Sequence, residues 1–143
     1  MHTMAMVSIM NLKTILCYIL QIYTRMVISY ILALVLNELV TNAILHGFAG
    51  LNKGELRIRA WLSGEPEEGQ HPLKHTRPVV NVTVSDNGIG VPEGFDPQRN
   101  ANLGLSLVRN LVAAELRGDF EIRNASRGRG TVAHITFPQP HGE

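Results

Sequence analysis

The spacing of apolar and polar positions changes along the chain, and the changes divide it into elements. Residues 26–46 hold no glycine or proline and read as helix. Within them Glu38, Asn42 and His46 recur every four residues and share one face, while Leu39, Ala43 and Ile44 lie on the other sides and are free to pack. Gly47 marks a helix stop, and Gly50 and Gly54 prolong the break. Residues 55–62 then alternate, with Leu56, Ile58, Ala60 and Leu62 apolar, which predicts a half-buried strand. Residues 63–78 are rich in Gly, Pro, Glu and His and read as a solvated loop. Residues 79–85 alternate again through Val80, Val82 and Val84, and the two strands pair as an antiparallel hairpin with an enlarged connection.

The second strand ends in Asp86-Asn87-Gly88-Ile89-Gly90. Residues 93–102 are polar and without period, as in a lid or disordered loop. A helix opens at Leu103 and runs to about Leu116, with Leu107, Val108, Leu111 and Val112 as its apolar stripe; Gly118 stops it. Residues 119–124 and 131–137 form two closing strands. Strands that cluster rather than alternate with helices predict an α+β fold, a mainly antiparallel sheet with helices on one face.

The first 36 residues are the least legible. Residues 15–36 are mostly apolar but interrupted by Gln21, Thr24 and Arg25. A membrane span needs about 20 apolar residues with few charges, and the charge-free part, 26–36, is shorter and leads directly into Asn37-Glu38. The start has no basic segment and no clear cleavage pattern, unlike a signal peptide. One or two helices burying an apolar face against the domain or a partner subunit are expected, and a membrane partner is not.

Composition narrows the picture further. With 143 residues, 45% of them hydrophobic and 17% charged, the chain can build one real core and is not disordered. A formal net charge of +1 and no Lys/Arg-rich run give no electrostatic basis for nucleic acid binding. The single cysteine, Cys17, excludes an internal disulfide framework and a multi-cysteine zinc site, in keeping with a cytoplasmic location. His71 and His75 would need a helical loop to act as a metal pair, and Pro72 and Pro78 oppose that.

Four separated stretches carry candidate chemistry. A carboxylate one turn from a carboxamide, Glu38 and Asn42, suits a metal-nucleotide site: the amide oxygen is a hard neutral ligand for Mg²⁺, and the carboxylate can take a proton or order a water. Asp86 at a strand end can accept a hydrogen bond from an exocyclic amine such as adenine N6, and Gly88 and Gly90 let backbone approach a ligand. Leu103-Gly104-Leu105 precedes a helix N-terminus, where unpaired N–H groups favour phosphate. Gly128-Arg129-Gly130-Thr131 stands before the last strand. Taken singly, these are a polar stripe, a tight turn, a loop-to-helix junction and a hairpin turn; their order gives them joint meaning.

That order resembles the ATP-binding catalytic domain of sensor histidine kinases, within the superfamily that includes DNA gyrase and a mismatch-repair ATPase. Asn37-Glu38-Leu39-Val40-Thr41-Asn42 looks like the family's asparagine box, and Asp86 to Gly90 looks like its first glycine box. Leu103 to Leu107 and Gly128 to Thr131 are similar to its second and third. The likeness covers about residues 30–138 and implies the Bergerat fold, a two-layer α/β sandwich. It implies residues 30–143 as the ATPase domain and 1–29 as a helical segment left from a dimerisation helix.

The resemblance also implies roles. Asn42 would ligate Mg²⁺ bridging the ATP phosphates, and Glu38 would polarise the attacking group. Asp86 would read adenine, with Gly88 and Gly90 shaping its pocket and Thr131 supporting it. His46, Leu103, Gly104 and Leu105 would lie with the nucleotide. The partners implied are a phosphoacceptor domain carrying the target histidine and a response regulator. Alternatives are a serine kinase of the anti-sigma type, acting with a sigma factor and an antagonist protein, and a non-catalytic nucleotide-binding module. Three features depart from the family pattern: Leu45 stands where a lysine is frequent, the second box has one glycine preceded by Ala101 and Asn102, and His2 lacks the setting of a phosphoacceptor.

Overall fold

The computed structural model describes residues 12–64, 77–100 and 102–140. His2, Ala101, the pair His71 and His75, and most of the loop expected over 63–78 lie outside them. One helix, α1 (Leu12–Asn42), spans the region where one or two were expected and runs without a break into the polar stretch. It ends in a π-helical turn, Ala43–Gly47, where the Phe48 N–H donates to the Ala43 carbonyl at 2.9 Å. Asn42, before this turn, and His46, within it, line the same cavity.

The remaining elements are β1 (Leu56–Ser63), β2 (Val79–Asp86), α2 (Leu103–Ala114), β3 (Asp119–Asn124) and β4 (Thr131–Pro138). The strands form one sheet in the order β1-β2-β4-β3, and every pair is antiparallel. Because strand side chains alternate, Val82 and Val84 of β2 and Ala133, Ile135 and Phe137 of β4 point to one face. Val35 and Leu39 of α1, Val108 and Val112 of α2, and Leu105 pack there in a second layer. Val35, Val108, Val112 and Ile135 lose essentially all contact with water, each worth about 1.5–3 kcal/mol.

One expectation changes. Strand β1 is not half-buried: only Leu56 is partly covered, and Ile58 and Leu62 remain about half exposed although they share the helix-facing side. It is an edge strand, and both helices pack over the other three. By length and composition alone, the helical stretch Leu12–Gly47 is long and apolar enough to cross a membrane. Val35, Leu39 and Ala43 in its C-terminal half are buried, while Leu12, Leu16, Ile19, Tyr23, Met26 and Tyr30 are each more than half exposed.

The sheet face away from the helices is polar. Asn81 is buried there, donating from Nδ2 to Ser63 Oγ at 2.9 Å and pairing through Oδ1 with His134 Nε2 at 3.1 Å. Trp61 stacks on the His134 ring at 5.8 Å between centroids.

Candidate nucleotide site

Strand β2 delivers Asp86 to the end of the sheet beneath the π turn. Its Oδ1 accepts the N–H groups of Gly88 at 2.9 Å and Thr131 at 3.2 Å, which leaves Oδ2 with both its lone pairs. Backbone closes on the carboxylate from three sides. Gly47 abuts its carboxyl group, and the Gly47 carbonyl accepts the Ile89 N–H at 2.8 Å. A Cβ on Gly88 would stand 2.0 Å from that carbonyl oxygen. Gly130, at φ +114°, passes so near that a Cβ would sit 1.9 Å from the Asp86 carbonyl oxygen. Only glycine fits either place.

Helix α2 supplies the other group of residues. Asn102 caps it, its Oδ1 accepting the Leu105 N–H at 2.9 Å. This changes one expectation, because the Leu105 N–H is committed to the cap and its side chain forms cavity wall. Leu103 and Gly104, the first two helical residues, retain N–H groups with no acceptor inside the helix. The carboxylate of Glu38 lies over this turn: a Cβ on Gly104 would be 2.6 Å from Glu38 Oε2. A negative group there is favoured by the helix dipole.

Between these ends lies a cavity of about 360 Å³, a size suited to a small organic ligand. Leu39, Ala43, Val84, Ile89, Leu105, Ile122 and Ala133 make its walls largely apolar, and Asn42, His46, Asp86, Asn100, Asn102 and Thr131 supply the polar groups. The segment following Gly90 covers it and is a chain of turns, not a shapeless loop. Asn124 grips Val91 twice, accepting its N–H at 2.7 Å and donating to its carbonyl at 3.0 Å. Phe95 packs on the core, Asn100 Oδ1 accepts the Asp96 N–H at 3.0 Å, and Arg109 donates to the Pro97 carbonyl at 3.3 Å. The polar composition hid the one aromatic anchor.

Of the residues singled out from sequence, Asn42, His46, Asp86, Gly90, Leu105 and Thr131 line the cavity. Gly88 sits behind Asp86, and Glu38 and Gly104 meet each other at the rim. Leu103 points outward, 88% exposed, so only its backbone faces the site. Leu45 is also exposed. Asn102, Asn124 and Phe95 went unrecognised; a capping residue one position before a helix was the signal for Asn102.

The donor set accords with a divalent cation held jointly with a nucleotide. Asn42 offers one amide oxygen, and its Nδ2 is buried without a partner. Among the described residues no three His, Cys, Asp or Glu side chains are grouped as a metal site. Magnesium is commonly held by one or two protein oxygens, with phosphate and water completing the shell.

A mostly apolar slot, with a carboxylate held by backbone at one end and free helix N–H groups at the other, makes this a nucleotide-binding module on a two-layer α/β frame. The chain belongs to the family of histidine kinase-, DNA gyrase B-, and HSP90-like ATPases, whose pattern matches residues 29–141. It is 38% identical over 108 residues to the sensor histidine kinase PdtaS of Mycobacterium tuberculosis, covering 75% of this chain and 19% of that protein. It is 34% identical over 112 residues to blue-light-activated histidine kinase 2 of Erythrobacter litoralis, covering 75% and 27%. The solved histidine kinase domain of the Erythrobacter litoralis EL346 blue-light-activated kinase superposes with a TM-score of 0.57 at 32% identity, over 76% of this chain and 43% of that one. The chain thus spans about a fifth to a quarter of these curated relatives. It is an ATP-binding catalytic domain of the sensor histidine kinase type.

Proposed function

We propose that this domain binds Mg-ATP and passes the γ-phosphoryl group to a histidine on a phosphoacceptor domain, which then serves a response regulator. The observation that carries the reading is Asp86: a carboxylate with one oxygen saturated by Gly88 and Thr131 and the other open, at the end of an apolar slot. That arrangement suits a flat base presenting an exocyclic amine. Glu38, over the first turn of α2, is placed to accept the proton of the attacking imidazole or to polarise it. The Leu103 and Gly104 N–H groups would meet the phosphates. His46, at the cavity wall beside Asn42, would border the bound nucleotide. Asn42 would supply the protein's ligand to magnesium, which when bound offsets phosphate charge. Catalysis by such a domain is mainly positioning and charge stabilisation.

The exposed apolar residues of α1 before Tyr30 support reading residues 1–29 as a helical remnant of a dimerisation helix, and the whole would act in the cytoplasm. The test is incubation with labelled ATP and a separate histidine-bearing phosphoacceptor domain. Acid-labile label on that domain is expected. Acid-stable phosphoserine on an antagonist protein of the anti-sigma system would replace this reading with a serine kinase. ATP binding with transfer to neither would leave a nucleotide-binding module.

A further inference from the structure

Asn102 makes two hydrogen bonds with one side-chain amide. Its Oδ1 caps α2, and its Nδ2 donates to Asn42 Oδ1 at 3.3 Å, joining residues 60 apart in sequence. Among the described residues this is the hydrogen bond that reaches the Asn42 side chain, since Asn42 Nδ2 is buried with no partner. A primary amide turned by half a rotation exchanges its oxygen for its NH₂. In Asn42 that exchange would set NH₂ against the NH₂ of Asn102, donor facing donor, and would bury the oxygen at the place where the amide now has no partner. Asn102 cannot turn in compensation, because its own oxygen is held by the Leu105 N–H.

We infer that Asn102 is a positioning residue, which holds Asn42 Oδ1 as the oxygen presented to the divalent cation of a bound nucleotide. The inference rests on the reading of the cavity as a Mg-ATP site. A carbonyl oxygen has two lone pairs; Asn102 takes one and leaves the other for the cation. Partners of metal-ligating groups fix the ligand's orientation in this way, and their loss typically weakens metal affinity 10–100-fold. Here the same residue also sets the start of α2. Asn42 and the start of α2, with the Leu103 and Gly104 N–H groups, are therefore joined through one side chain. No motif records this coupling, because it joins the asparagine box to the residue preceding the second glycine box.

Asn102→Ser tests it. Serine keeps a capping oxygen but is too short to reach Asn42. Affinity for ATP is measured by titration calorimetry, with magnesium and with EDTA, for the unmodified domain, Asn102→Ser, Asn42→Ala and the double variant. The expected result is about a 10-fold loss for Asn102→Ser with magnesium, no loss in EDTA, and no further loss on the Asn42→Ala background. An equal loss in both buffers, a loss that persists without Asn42, or unchanged or tighter binding with magnesium would overturn the inference. Should Asn102→Ser lower the thermal midpoint enough to compromise binding, Asn102→Thr, which also caps, replaces it with the same expectations. The two readings fail separately. An unmodified domain that binds no ATP sinks the nucleotide site, whereas magnesium-assisted binding that Asn102→Ser leaves intact sinks only the role of Asn102.

Discussion

The two ends of the cavity are built on opposite plans. At the base end Asp86 is enclosed by the backbones of Gly47, Gly88 and Gly130 and held by two N–H groups, with no room for a single added methyl at Gly88 or Gly130. At the phosphate end the groups are side chains and first-turn amides near solvent: Asn102 and Leu103 are exposed, and one 3.3 Å hydrogen bond ties Asn42 to its neighbour. The first end is walled by backbone. The second has donors and acceptors waiting for partners. On the proposed reading, the end walled by backbone would select the base, and the end built of side chains would admit the phosphates and their acceptor.

Substitutions at each end sharpen the contrast. Gly130→Ala should have the largest effect: it combines a positive φ with overlap against the Asp86 carbonyl, and should cost about 3 kcal/mol in urea denaturation. A loss under about 1 kcal/mol would show that the base end yields. Asp86→Asn keeps an oxygen for Gly88 and Thr131 but turns the open acceptor into a donor. It should weaken ATP binding by about 2 kcal/mol, roughly 30-fold, and erase preference for ATP over GTP. Equal affinity of the unmodified domain for the two nucleotides would deny Asp86 that role. Phe95→Ala removes the anchor of the covering segment; about 1–2 kcal/mol of stability should be lost, with faster proteolysis between residues 91 and 100. Leu103→Ala should be the mildest. Only its backbone meets the site, so stability should stay within about 0.5 kcal/mol and ATP affinity should not move. A clear loss of ATP affinity would show that the phosphate end uses this side chain after all.

A similar contrast separates strands of one sheet. Strands β1 and β4 both carry alternating apolar residues, yet Ile135 is fully buried and Ile58 about half exposed. The period reports which residues share a face; it does not report whether anything covers that face. The two halves of α1 repeat the lesson, since the apolar residues before Tyr30 stand largely in water and Val35 does not.

Local chemistry determined much by itself. Period-two runs specified β1 and β2, because side chains alternate regardless of what lies above them, and β3 and β4 lie where two closing strands were expected. The absence of glycine and proline allowed a helix through Asn42, and the order of polar and glycine-bearing stretches pointed to a nucleotide fold. Long-range packing decided the rest. The sheet order β1-β2-β4-β3, the helical turn that widens to bring Gly47 against Asp86, the hold of Asn124 on Val91 and the bond from Asn102 to Asn42 all join residues tens of positions apart. Such contacts form only when the core closes, and an exposed asparagine looks the same in a sequence whether it faces solvent or the amide of Asn42.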